Sequence, residues 1–102
     1  MAQKLGIFVC SDKYLDYIVP FVEAAHRKGL DTQIFFTGQG VLLTQEERFK
    51  ELVDKAKLYV CDVSFRANGL EGNEVPGVGF KQFVTQARNA EMIEEVDRYV
   101  VF

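Results

Sequence analysis

Five short apolar runs punctuate the chain, and between them apolar positions recur at helical spacing. Residues 5–10 (LGIFVC) are an unbroken apolar stretch, the pattern of a strand buried on both faces. Asp12 follows as a candidate N-cap. Over residues 14–28, Leu15, Ile18, Val19, Val22 and Ala25 then repeat at three- and four-residue steps. Pro20 predicts a kink or a late start in that helix, and Gly29 ends it. Residues 32–37 (TQIFFT) read as a second strand leading into the glycine-rich loop Gly38-Gln39-Gly40. Thr44 with Glu47 forms a capping-box pattern, predicting a helix that turns Phe49, Leu52 and Val53 inward.

Residues 57–60 predict a third strand that delivers Cys61, after which the chain turns polar. A short helical turn through Ser64 and Arg66 is closed by Asn68-Gly69. Residues 71–79, with three glycines and Pro76, read as a loop and the most mobile segment. Residues 80–85 predict a fourth strand, and residues 87–96 a helix with Ala90, Ile93 and Val96 or Met92 inward. Residues 98–102 predict a fifth strand. There is no internal repeat, linker or low-complexity tract.

Strands alternating with helices through short connections predict an α/β fold. The expected architecture is a single three-layer domain over residues 1–102. It has a five-stranded, mainly parallel, flavodoxin/Rossmann-like sheet with helices on both faces. Right-handed crossovers bring the carboxyl ends of parallel strands to one edge, where such folds bind ligands. Cys10, the loop Gly38, Gln39 and Gly40, and Cys61 all fall at that edge. Were the first and third strands neighbours, the two thiols would approach each other.

Composition narrows the function. At 102 residues and 48% hydrophobic, the chain can bury a core without being large enough for several domains. A net charge of −3 gives no basic surface for nucleic acid. No apolar run approaches a membrane span, and the opening MAQKLGIFVCSDK reads as a strand, not a signal peptide. Two cysteines without an export signal predict reduced thiols in the cytoplasm. One histidine and two cysteines do not make a zinc site, and no cofactor is expected.

Candidate chemistry therefore centres on Cys61. One reading makes it a small buried hydrophobe. The other makes it a nucleophile, because a thiol just before a helical turn meets unpaired N–H groups that favour thiolate. Arg66 adds a positive charge nearby, and Asp62 opposes it. Cys10 continues an apolar run and reads first as strand packing, second as a resolving thiol. The glycine loop either cradles an anion with its N–H groups or makes a tight turn; it is neither a Walker loop nor GxGxxG. His26 reads as a surface residue near a helix C-terminus, and Glu91, Glu94, Glu95 and Asp97 as a solvated face.

Four pieces in order carry a family likeness: KLGIFVCS, QIFFTGQGVLL, YVCDVSFRANGL and EMIEEVDRYVVF. With them the chain resembles the DsrE/DsrF-like proteins, which include the TusD-type sulfur-relay subunits, over nearly its whole length. The resemblance implies that Cys61 carries sulfur as a persulfide, as the cysteine after the third strand does in active members. Ser64 and Gly69 fall in the corresponding segment. Asn68 stands where an arginine commonly precedes the glycine. Also implied are donor and acceptor proteins of a relay, and homo- or hetero-oligomers, often trimers or hexamers. A sulfurtransferase-like carrier is the leading expectation. The others are a non-catalytic binding or assembly module and a thiol redox protein using Cys10 with Cys61.

Overall fold

The computed structural model describes residues 3–102. Five strands, β1 (Lys4–Val9), β2 (Asp31–Phe36), β3 (Lys57–Cys61), β4 (Phe83–Val84) and β5 (Arg98–Val101), form one sheet in the order β4-β3-β2-β1-β5. Every pairing is parallel, with Ile7 opposite Ile34, Phe36 opposite Val60 and Phe8 opposite Val101. The chain steps one strand at a time from β1 to β4, then returns past β1 to place β5. Right-handed crossovers consequently put α1 (Leu15–Arg27) and α2 (Asp62–Ala67) on one face and α3 (Gln86–Glu95) on the other. The fold is the expected α/β sheet with helices on both faces.

Alternation along the strands divides the core in two. Leu5, Ile7 and Val9, Ile34 and Phe36, and Leu58 and Val60 pack with Leu15, Ile18, Val19 and Val22 of α1. On the opposite face Phe35, Cys61 and Met92 are buried together, with Phe8, Tyr59, Val84 and Val96 around them. Phe8 and Phe35 stack with ring centroids 6.0 Å apart. At Gly6 an added Cβ would meet the Val96 and Met92 side chains at 3.1–3.3 Å, so these would have to shift by a few tenths of an ångström.

Several local expectations are corrected. The capping-box pattern opens no α-helix: residues 38–52 form two 3-10 helices, Gly38–Gln45 and Glu47–Leu52. The Thr44 hydroxyl donates back to Val41 O at 2.7 Å instead of capping. The first helix is not capped by Asp12. Its N-cap residue is Tyr14, and Pro20 sits inside the helix without delaying its start. The predicted fourth strand shrinks to Phe83–Val84 behind a 3-10 turn, Phe80–Gln82. The inward face of α3 is Met92, while Ile93 is exposed. Residues 71–79 form the expected loop, mostly exposed, with Val75 buried and Gln82 Nε2 donating to Leu58 O and Gly77 O. Among the described residues no helix is long and apolar enough to cross a membrane.

Gly40 is set by close approach. A Cβ there would lie 2.4 Å from Val9 O and 2.9 Å from Val9 C. The 3-10 segment can pack onto the end of β1 only without a side chain at that position. Gly40→Ala is expected to destabilise the fold by about 2 kcal/mol or more, as overpacking against fixed backbone does. The midpoint of urea unfolding measures it, and an unchanged midpoint contradicts the packing assigned to this glycine.

Candidate functional site

Residues from β2, β3, α2 and α3 meet at the carboxyl edge of the sheet around Cys61. This residue ends β3 and is the N-cap residue of α2, so its position follows from a strand giving way at once to a helix. Thr37 follows the last residue of β2 and is buried. Ser64 lies in the first turn of α2. Gln86 opens α3, which starts where the Thr85 hydroxyl accepts the Ala87 N–H at 3.3 Å.

The polar groups are linked. Gln86 Nε2 donates to Thr37 Oγ1 at 2.7 Å and lies 3.6 Å from Cys61 Sγ. The Gly38 N–H donates to Ser64 Oγ at 2.9 Å, and the Thr37 and Ser64 hydroxyls are 3.3 Å apart. Each hydroxyl oxygen thus already receives an N–H. That leaves the hydroxyl protons for the sulfur or for each other. Asn68 Nδ2 braces the arrangement by donating to Ser64 O at 2.8 Å and Gly38 O at 3.3 Å.

Burial pushes the Cys61 thiol up and is the largest single influence. The polar groups of Ser64 and Thr37 and the Gln86 amide, whose Nε2 lies 3.6 Å from the sulfur, together outweigh it, so the net pKa lies below the ordinary value. Such donors stabilise thiolate over thiol, and thiolate is the nucleophile. A site of this composition can hold a sulfur nucleophile or leaving group. Among the described residues no group of three His, Cys, Asp or Glu side chains is placed to hold a metal ion.

Other candidates fall differently. The expected supporting charge is absent from the sulfur: Arg66 pairs with Asp62 at 3.1 Å and Glu71 at 3.6 Å. Gly69, with φ 75°, closes α2 and has a structural role, its N–H bonded to Arg66 O. In the glycine loop the Gly38 N–H is given to Ser64 and the Gly40 N–H to Thr37 O, so neither is left to cradle an anion. Gln39 is exposed. The loop serves the site through Gly38, as a brace for Ser64.

The two thiols differ in exposure, and Cys10 is not packed in the strand as first expected. Cys61 is 3% exposed, whereas Cys10 is exposed, its Sγ donating to Phe102 O at 3.6 Å. Nor are β1 and β3 neighbours. With β2 between them, the two chains lie two strand spacings apart, roughly 9.5 Å. A disulfide needs Cα atoms within about 4.4–6.8 Å. The Cys10–Cys61 redox couple is therefore set aside. The sequence reading missed Thr37 and Gln86. Thr37 ends a predicted strand at the same edge as Cys61, so topology pointed to it. No local signal marked Gln86, which reaches the site from 25 residues beyond Cys61.

Beside the cysteine, α2 and the 71–83 segment enclose an open groove of about 570 Å³. Asp62, Phe65 and Arg66 of α2 line it together with Phe80, Lys81 and Phe83. Phe80 is 93% exposed, and Val63, two residues after Cys61, is exposed as well.

In a Cys10→Ser background, the alkylation rate of Cys61 against pH should show a midpoint below the ~8.5 of a free thiol. Ser64→Ala and Gln86→Leu should each move that midpoint up, while Arg66→Gln should leave it in place. A midpoint that moves with Arg66 and ignores Ser64 would mean that charge, not hydrogen bonding, sets the thiolate.

No curated protein matches the chain. The family profile of the DsrE/DsrF-like family matches residues 3–102, essentially the full length. That family is associated with sulfur relay, and the match spans every strand and helix of the fold. The chain belongs to the DsrE/DsrF-like family.

Proposed function

We propose that the protein is a sulfur carrier in which Cys61 holds the transferred sulfur as a persulfide. The observation that carries this reading is the linked polar cluster of Thr37, Ser64 and Gln86 at the strand end that bears Cys61, with Gln86 Nε2 3.6 Å from its sulfur. Loading proceeds by attack of the Cys61 thiolate on the outer sulfur of a donor protein's persulfide. One S–S bond forms, giving Cys61–S–SH, as the donor's S–S bond breaks and its thiolate departs. Unloading repeats the exchange, with an acceptor thiolate attacking the outer sulfur and Cys61 leaving as thiolate. Neither step is a net oxidation, and neither needs a cofactor. A depressed pKa makes Cys61 the better leaving group, so the same hydrogen bonds that raise the thiolate population speed delivery.

The partners in this reading are donor and acceptor proteins of a cytoplasmic relay and further copies of the chain. Support for self-association comes from apolar surface around the edge strand β5. Tyr14, Tyr17 and Phe21 of the α1 region are exposed and run with Phe102 as a chain of aromatic contacts, centroids 5.9–6.5 Å apart. At the same edge but on the α3 face of the sheet, Tyr99 and Val101 of β5 and Ile93 of α3 are also exposed. A patch of this kind on a small domain fits an interface. The oligomer we propose is a homotrimer or hexamer.

Incubation with a persulfide donor should add about 32 Da, one sulfur, to the intact protein. Cys61→Ser should abolish the adduct with the fold retained, and Cys10→Ser should leave it in place. Light scattering on the same samples should report a trimer or hexamer. A protein that takes up no sulfur loses the carrier reading, and the groove beside α2 then favours a binding module. A monomer at micromolar concentration removes the assembly.

A further inference from the structure

The crossover that covers Cys61 is held differently from the rest of the fold. Of the ten residues of α3 only Met92 is buried, whereas α1 buries Leu15, Ile18, Val19, Val22 and Ala25. Much of its remaining attachment is polar and centres on Arg88. This guanidinium lies 4.7 Å from the centroid of the Tyr59 ring, a cation–π distance. Its Nη2 donates to Gln33 Oε1 at 2.8 Å, and its Nη1 lies 3.4 Å from Glu95 Oε1. Gln33, buried in β2, also donates to Glu95 Oε2 at 3.3 Å.

The placement relative to the thiol is specific. Tyr59 and Cys61 share one face of β3, and α3 sets Arg88 over the first and Gln86 beside the second. Cys61 is nearly inaccessible, yet thiol exchange requires a second sulfur to approach its Sγ. The strands beneath the thiol are held by the core on the far face, where β2 buries Ile34 and Phe36 and β3 buries Leu58 and Val60. An element with few buried apolar side chains opens at lower free-energy cost than such a core.

We propose that α3 is a latched cover over Cys61. Its N-terminal part lifts from the sheet to admit a thiol-bearing protein partner, and Arg88 is the positioning residue that holds it shut. Biological meaning rests on Cys61 being the reacting thiol, as proposed above. The motion itself is a property of the fold and is read without any sulfur donor.

The test uses Cys10→Ser protein, so that Cys61 alone reacts, with iodoacetamide and a bulky polyethylene-glycol maleimide as probes. Below the unfolding transition, labelling should be slow and only weakly dependent on urea, because lifting one helix exposes little surface. Arg88→Met keeps an unbranched side chain over Tyr59 but removes the donors, and should raise both labelling rates on the order of tenfold. Glu95→Gln, at the exposed end of the network, should do the same in smaller measure and serves if Arg88→Met fails to fold. Backbone amides of residues 86–95 should exchange with deuterium faster than those of α1. Labelling that ignores both variants, or that follows global unfolding with its full urea slope, overturns the cover. Faster labelling in the variants without sulfur uptake by the parent protein would keep the cover and remove the carrier reading.

Discussion

Phe35 and Phe36 point to opposite faces of the sheet, and both are completely buried. Burying such side chains contributes about 1.5–3 kcal/mol each, so the strand that carries them must be covered on both sides. That requirement makes β2 the centre of the sheet, with β1 and β3 flanking it. It also demands a helix on the face that α1 does not cover, which the β4-to-β5 crossover supplies as α3. Once β2 is central, its end delivers Thr37 beside Cys61, and the second-face helix delivers Gln86. The site is a by-product of sandwiching one strand.

The electrostatics follow from the same geometry. Burial alone would leave Cys61 an inert thiol. The neutral polar groups of Ser64, Thr37 and Gln86 offset it, and Arg66, tied to Asp62 and Glu71, takes no part. Hydrogen bonds strengthen where water is excluded, which is why a nearly inaccessible sulfur can still favour its anion. The arrangement has a cost in access, because α3 both supplies a donor and closes the approach.

The strands and α1 were legible because apolar runs and three-to-four spacing record burial directly. The face of α3 was not. Its inward stripe is Arg88, Met92 and Val96, and a hydrophobic pattern does not count an arginine whose stem and planar head cover Tyr59. Thr44 was misread because a hydroxyl can turn back on its own carbonyls as readily as cap a helix. Within the site, Cys61 and the edge it occupies were legible from strand ends, and Ser64 from the family likeness. The exposures of the two cysteines were not, since they depend on which strand lies between them and which helix lies above. Gln86 was invisible for the same reason.

The central claim is that neutral hydrogen-bond donors, not charge, hold Cys61 toward thiolate. Titration of the Cys61 Cβ resonance by carbon NMR, in Cys10→Ser protein at low and high salt, tests it most directly. The account predicts a midpoint below the ~8.5 of a free thiol that stays put as salt rises, because screening acts on charges and little on neutral donors. A midpoint at or above that of a free thiol, or one that climbs steeply with salt, would contradict it.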